Sequence, residues 1–127
     1  DVSIFTVGFC LGGSNSWHQA STGLGLSGAI GFYGHPGRDF PSGGGSVTER
    51  AERIECPIVG LMAGLDQGIT PELVHAFQEA RTANGVEHQI VTYDNAPHSF
   101  FDRAQEQYAE ESAHAWARVL AFIEAHA

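Results

Sequence analysis

Val7-Gly8-Phe9-Cys10-Leu11-Gly12-Gly13 places a cysteine between glycines directly after an apolar run. The pattern predicts a strand that turns sharply into a helix, because glycines on both sides let neighbouring backbone approach without a clash. A side chain at such a turn projects outward, and the first N–H groups of the helix point toward it. These groups favour a thiolate over a thiol and can hold a negative substrate oxygen. Cys10 is therefore a candidate nucleophile, and the alternative interpretation is a buried structural thiol.

Length and composition indicate one globular domain over residues 1–127. The chain has 127 residues, of which 43% are hydrophobic and 17% are charged. Its net charge is -9 and its six basic residues are all arginines, so the surface repels phosphate and we expect neither nucleic acid nor an anionic membrane as partner. No apolar run reaches the roughly 20 residues of a membrane span, and the amino terminus lacks a basic signal segment. We therefore expect a cytoplasmic protein.

Strands and helices are predicted to alternate along the chain. Near-continuous apolar runs predict buried strands, because strands covered by helices on both faces have no polar side. The predicted strands are 3–9, 26–33, 57–63 and 86–93. Helices are predicted at 12–22, at 47–54 as a short polar segment, from Thr70 to Gly85 with Pro71 at the first helical position, and at 104–125. This order predicts a three-layer α/β/α domain with a mainly parallel sheet.

Polar residues that follow the strands identify the candidate site. In an open parallel sheet the ligand crevice lies beyond the carboxyl ends of the strands. Cys10 follows the first strand, Asp66 follows the third and His98 follows the fourth, so a nucleophile, an acid and a base come at one edge. His98 can accept the cysteine proton, and Asp66 can hold the other ring nitrogen. The backbone N–H of Leu11 would be an oxyanion donor.

Each of these residues also has a simpler interpretation. His98 can be an ordinary loop histidine, and Asp66 can be only a turn former before Gly68. Asp94 is a second carboxylate near the histidine, and Asp66 is preferred because it follows the third strand. The histidine spacing predicts no metal site. Cys56, just before a strand, is expected to be a packed structural thiol.

The chain resembles the dienelactone hydrolase family. The resemblance is carried by Gly8-Phe9-Cys10-Leu11-Gly12-Gly13, by Asp66, by Ala96-Pro97-His98-Ser99-Phe100-Phe101 and by the final helix. It implies a Cys10–Asp66–His98 triad that hydrolyses an activated ester or lactone, of the carboxymethylenebutenolide kind, through a thioester and without a cofactor. The family binds a substrate carboxylate with arginine, and Arg103 and Arg38 are the candidates for this role.

The resemblance also implies that the chain is the carboxyl-terminal half of an α/β-hydrolase fold, because the family's domain has further strands before the nucleophile. The first strand would then be an exposed apolar edge, and we expect self-association through it. Two other classes are weighed against a hydrolase: a glutamine amidotransferase-like domain, and a non-catalytic interaction domain or thiol redox sensor. The first usually has a carboxylate two residues after its histidine, where this chain has Phe100.

Overall fold

Four parallel strands form one sheet and lie side by side in chain order. The structure, a computed structural model, describes residues 2–40 and 43–127. The strands are β1 (Phe5–Phe9), β2 (Gly28–Phe32), β3 (Ile58–Ala63) and β4 (His88–Tyr93). The helices are α1 (Leu11–Gln19), α2 (Pro71–Ala83) and α3 (Ala109–His126), with one 3-10 turn at Ala51–Arg53. The predicted α/β architecture with a parallel sheet is confirmed.

The register of the sheet brings the carboxyl ends of the strands to one edge. Phe9 at the end of β1 lies opposite Phe32, which ends β2. Phe32 lies opposite Leu61 of β3, and Ala63 at the end of β3 lies opposite Tyr93 of β4. The loops that follow all four strands therefore leave the same edge of the sheet, where the sequence places its candidate residues.

The two central strands are covered on both faces, which explains their unbroken apolar sequences. Every residue of β2 and β3 is buried. One face packs against α3 through Ala115, Val119 and Phe122, and the other packs against α1 and α2 through Trp17 and Phe77. Full burial of such large side chains stabilises the fold by about 1.5–3 kcal/mol each. The sheet is thus the middle of three layers.

Trp17 fixes α1 against the sheet. Its indole Nε1–H donates to the carbonyl oxygen of Val59 at 2.9 Å, and its ring lies 4.6 Å from the ring of Phe77. A Cβ at Gly31 would come within 2.4 Å of the indole, so the strand beneath Trp17 needs a glycine there. Because α1 begins directly after Cys10, this packing also fixes the turn that carries the cysteine.

Most element bounds differ from the sequence predictions by one to three residues, and the last helix differs by more. The last helix begins at Ala109 rather than at 104, and Tyr108 before it has a non-helical backbone with φ -120° and ψ 45°. The segment predicted as a short helix at 47–54 contains only the 3-10 turn, and β4 begins at His88 rather than at 86. The sequence misplaces the start of α3 because no capping side chain marks it, so apolar periodicity continues through the preceding turns.

The α2 start agrees with its sequence signals. Thr70 is the N-cap, Pro71 is the first helical residue, and the Thr70 hydroxyl accepts the N–H of Leu73 at 3.4 Å. No helix within the described ranges 2–40 and 43–127 is long and apolar enough to cross a membrane.

Candidate active site

Cys10 sits in a strained turn between β1 and α1. Its backbone has φ 57° and ψ -121°, in a region that residues other than glycine rarely adopt. Gly8 makes this turn possible, since a Cβ there would lie 1.9 Å from the carbonyl oxygen of Gly12. A Cβ at Gly13 would lie 2.8 Å from the carbonyl oxygen of Phe32. Gly8 and Gly13 are therefore required by close backbone contacts, as the sequence predicts.

The helix α1 begins directly after Cys10. The N–H groups of Gly13 and Ser14 donate to the carbonyl oxygen of Cys10, at 2.9 and 3.4 Å. The N–H of Leu11 makes no hydrogen bond with any described residue, so it is free to act as a donor. Unpaired N–H groups at a helix start carry partial positive charge. The role of Leu11 as an oxyanion donor stays a prediction.

The loops after β1 and β4 bring Cys10 and His98 together. The imidazole Nε2 of His98 lies 3.1 Å from the Cys10 Sγ, although 88 residues separate them in sequence. On its other side, His98 Nδ1 makes a short hydrogen bond with Asp66 Oδ2. A carboxylate can only accept, so Nδ1 carries the hydrogen and the Nε2 lone pair faces the thiol. The three predicted residues therefore form one connected chain of hydrogen bonds.

Asp66 is both a turn former and the partner of His98. Its Oδ1 accepts the N–H of Gly68 at 3.0 Å, which closes the turn that the sequence also suggested. Its Oδ2 remains for His98, and its side chain is only 7% exposed, against 41% for that of His98. The alternative carboxylate, Asp94, is exposed and its backbone packs on Gly64 instead. The two interpretations of Asp66 are thus compatible.

A cleft of about 230 Å³ opens above these residues. Its lining includes Cys10, Leu11, Asp66, His98 and Arg38. The carbonyl oxygen of Arg38 accepts a 2.9 Å hydrogen bond from Nε2 of the buried His18, which holds the loop that carries the arginine. Burial lowers the pKa of His18, so the ring is neutral at neutral pH.

The two arginine candidates are placed differently. Arg38 lines the cleft, whereas Arg103 is exposed and is not among the residues that line it. The backbone N–H of Arg103 donates to the side chain of Asp102, which fixes the chain direction there. Of the two arginines, only Arg38 lies where a group bound next to Cys10 could contact it.

Tyr33 also lies at the candidate site, although the sequence did not predict it there. It directly follows β2, has φ 38°, and lines the same cleft while its own surface is buried. Its ring lies 4.9 Å from the ring of His98 and 5.4 Å from that of Phe100. Burial, then the charges of Asp102 and Cys10, raise the pKa of the Tyr33 hydroxyl above its usual range. The rule that found Asp66, a polar residue after a strand, applies equally to Tyr33.

Ser99 is the second missed residue. Its Oγ lies 3.7 Å from the Cys10 Sγ, and its backbone has φ 66°. Serine rarely adopts a left-handed backbone, so the sequence does not predict this conformation at Ser99. In the sequence, only its position next to His98 indicates that Ser99 lies near the candidate site.

The other thiol has a different environment. Cys56 is 7% exposed, and burial raises its pKa to about 11. This agrees with the expected structural thiol. Across residues 2–40 and 43–127, no cluster of three or more His, Cys, Asp or Glu side chains is arranged to hold a metal ion.

Matches to known proteins cover nearly all residues of this chain. The model of the dienelactone hydrolase family matches residues 2–127. A protein of Escherichia coli O157:H7 that carries the name carboxymethylenebutenolidase is 29% identical over 119 residues, which are 92% of this chain and 44% of that protein. A relative with the same name from Salmonella typhi is 30% identical over 119 residues, with the same coverage of 92% and 44%.

A solved structure of the same family has a similar fold. A structure from Klebsiella pneumoniae subsp. pneumoniae MGH 78578, named as a dienelactone hydrolase, has a TM-score of 0.84 and 28% identity. The match covers 93% of this chain and 50% of that one. The chain therefore spans about half the length of that protein, and slightly less of the curated relatives.

Proposed function

The chain belongs to the dienelactone hydrolase family, and on that premise we propose that it hydrolyses a carboxylic ester or lactone, with Cys10 as the nucleophile. The observation that carries this proposal is the 3.1 Å approach of His98 Nε2 to the Cys10 Sγ, with Asp66 on the other ring nitrogen. A nucleophile, its base and the group that orients the base are thereby in hydrogen-bond contact.

The first step would form a thioester. His98 Nε2 takes the thiol proton while the Cys10 sulfur attacks the carbonyl carbon, and the carbonyl oxygen becomes negative. The N–H of Leu11 donates to that oxygen, an interaction typically worth about 3–4 kcal/mol of barrier. When the tetrahedral intermediate collapses, the carbon–oxygen bond to the alcohol breaks and His98 returns the proton to the leaving oxygen. Asp66 stabilises the transient imidazolium.

The second step would release the acid. His98 takes a proton from water, and the hydroxide oxygen attacks the thioester carbon. The carbon–sulfur bond then breaks, and the sulfur recovers its proton from His98. The net reaction adds one water to the ester or lactone, with no redox change and no cofactor. In each step His98 first accepts a proton and then donates it. The imidazole must therefore stay in the position where Asp66 and Tyr33 hold it.

We assign the carboxylate-binding role to Arg38 rather than to Arg103, because Arg38 lines the cleft that contains Cys10. A guanidinium suits a carboxylate because its N–H groups match both oxygens. The expected consequence is a preference for esters or lactones that carry a second, negatively charged carboxylate. With Arg38→Gln, KM should rise for such an ester and stay unchanged for a neutral one, whereas Arg103→Gln should change neither.

We also propose that residues 1–127 are one partial α/β-hydrolase domain, that the protein is cytoplasmic, and that copies of the chain associate through the free edge of β1. The last is supported by exposed apolar side chains along β1 and just before it. Ile4, Val7 and Phe9 are 49%, 43% and 36% exposed. Edge strands with this character pair readily with other chains.

A kinetic comparison of the two cysteines tests the proposal. The chain, Cys10→Ala and Cys56→Ala are assayed for hydrolysis of a nitrophenyl ester at neutral pH. We expect Cys10→Ala to fall to the uncatalysed rate and Cys56→Ala to keep the rate of the unmodified chain. Equal rates for the chain and Cys10→Ala would remove Cys10 from the mechanism. A reactive Cys10 without any ester hydrolysis would favour the thiol sensor instead.

A further inference from the structure

Three residues other than glycine have a left-handed backbone in the part of the chain that the structure describes, and all three lie around one sulfur atom. They are Cys10, Tyr33 and Ser99, with φ values of 57°, 38° and 66°. Each comes after a different strand. Strain of this kind persists where the surrounding structure holds it, and it concentrates at functional sites. For Cys10 the strain positions the nucleophile, and for Tyr33 it accompanies the ring that packs on His98.

Ser99 has a contact that can explain why its strained backbone is kept. Its Oγ lies 3.7 Å from the Cys10 Sγ, within the longer hydrogen-bond range of sulfur. That sulfur is its only side-chain partner among residues 2–40 and 43–127. A hydroxyl is a good donor and a thiolate accepts, so the bond gains strength when Cys10 loses its proton. A glycine would adopt φ 66° more easily, but it would remove the donor.

We propose that Ser99 is a further catalytic residue, whose hydroxyl donates a hydrogen bond to the Cys10 thiolate and holds the sulfur facing the His98 base. The inference rests on the proposed role of Cys10 as the nucleophile. The sulfur then has two polar partners: His98 Nε2 at 3.1 Å, which exchanges the proton, and the Ser99 hydroxyl at 3.7 Å, which stabilises the charge that remains. Ser99 therefore stabilises the negative sulfur in the position from which it attacks.

The test measures the sulfur itself rather than ester turnover. Iodoacetamide alkylates a thiolate: the sulfur–carbon bond forms and iodide leaves. The rate at Cys10 is followed from pH 5 to 10 by mass spectrometry of the Cys10 peptide, which separates it from Cys56. The variants are Ser99→Ala, which keeps a Cβ on the strained backbone, and Ser99→Gly, which fits φ 66° freely. Ser27→Ala, before the start of β2 and so at the opposite end of the sheet, is the control.

The hydroxyl is absent from both Ser99 variants, so the same result is expected in both. At pH 7 the alkylation rate should fall about three- to tenfold, because a hydrogen bond has been lost whose length of 3.7 Å limits it to the strength of an ordinary neutral one. The midpoint of the rate against pH should move upward by about half a unit to one unit. Above the midpoint the variants should react as fast as the unmodified chain or faster, since a less stabilised thiolate is more nucleophilic. Ser27→Ala should behave like the unmodified chain.

Two outcomes would overturn the proposal. One is Ser99→Ala reacting within twofold of the unmodified chain at every pH, which leaves the hydroxyl without a role. The other is a reduction by the same factor at all pH values, which indicates a general disturbance of the site. Ser99→Gly keeps the test decisive if the alanine variant does not fold. The ionisable groups near the sulfur are unchanged in both variants; they are His98, Asp66, Tyr33, Asp102 and Arg38. Because alkylation needs no ester hydrolysis, a failure of the proposed function leaves this result interpretable.

Discussion

Substitution of Asp66 by asparagine should lower the rate of catalysis without lowering the stability of the fold. In Asp66→Asn, the new side chain would keep a carbonyl oxygen for the N–H of Gly68, so the turn should remain. Its amide, however, can donate to His98 Nδ1, which favours the tautomer that has hydrogen on Nε2 and can no longer accept the thiol proton. We expect Asp66→Asn to lower kcat for ester hydrolysis by about 10³- to 10⁴-fold, with little change in thermal midpoint.

The control for this prediction is the other carboxylate at this edge of the sheet. Asp94→Asn should leave kcat unchanged, because Asp94 is exposed and has no contact with His98 in the structure. Steady-state kinetics and thermal unfolding of both variants provide the comparison. If Asp94→Asn lost activity and Asp66→Asn kept it, the assignment of the orienting carboxylate would be wrong.

At the scale of the elements, Gly8 is the critical position in the turn between β1 and α1. A Cβ there would lie 1.9 Å from the carbonyl oxygen of Gly12, and backbone atoms cannot easily move away. Gly8→Ala should therefore destabilise the fold by about 3 kcal/mol or more, measured by denaturant unfolding.

Gly12→Ala is the matched control. A Cβ at Gly12 would meet no atom within 4 Å, and alanine is favoured over glycine in a helix. Its free energy of unfolding should stay unchanged or rise by up to about 1 kcal/mol. Similar losses in both variants would mean that the turn does not depend on the Gly8 contact.

The elements were largely predictable from the sequence, and so was the proximity of Cys10, Asp66 and His98. Buried parallel strands have continuous apolar sequences, and Cys10, Asp66 and His98 each follow the end of such a strand. The start of α3 was not predictable, because the N–H of Tyr108 donates to the carbonyl oxygen of Ala104 at 3.1 Å in a helix-like turn before the helix proper. Apolar periodicity cannot distinguish such a turn from a helix.

The sequence did not identify Ser99, and for Tyr33 it held only a positional clue, a polar residue directly after β2. Their importance comes from a left-handed backbone and from contacts made across the sheet edge, and neither property is encoded by residue type alone. A tyrosine after a strand and a serine after a histidine are common. Only the three-dimensional arrangement places both beside Cys10.

At the scale of the whole molecule, β1 pairs only with β2 among the described residues, so its other side is unpaired. Beyond β1, a groove of about 560 Å³ is lined by apolar residues that include Phe9, Phe101 and Trp116. The rings of Phe9 and Phe101 lie 5.7 Å apart, and those of Phe101 and Trp116 lie 5.9 Å apart. The β1 side therefore combines unpaired strand backbone with an apolar surface, which favours association with another chain.

A positive charge on the unpaired side of β1 should prevent this association. Val7→Lys places a lysine at the middle of β1, where Val7 is 43% exposed. We expect the unmodified chain to sediment as an oligomer at micromolar concentrations and Val7→Lys to shift toward monomer, because charged side chains block edge pairing. Thr92→Lys, on the opposite edge strand β4, is the control and should associate as the unmodified chain does. A monomeric unmodified chain at every concentration would contradict the prediction.

The central claim is that Cys10, His98 and Asp66 act as one nucleophilic unit, and capture of the acyl-enzyme tests it most directly. The chain and His98→Ala are mixed with an activated nitrophenyl ester at mildly alkaline pH, and the adduct is located by peptide mass spectrometry. We predict that the acyl group forms on Cys10 in both proteins, clears within seconds to minutes from the unmodified chain, and persists in His98→Ala because no base activates water. An adduct on any other residue, or equal clearance from both proteins, would contradict the account.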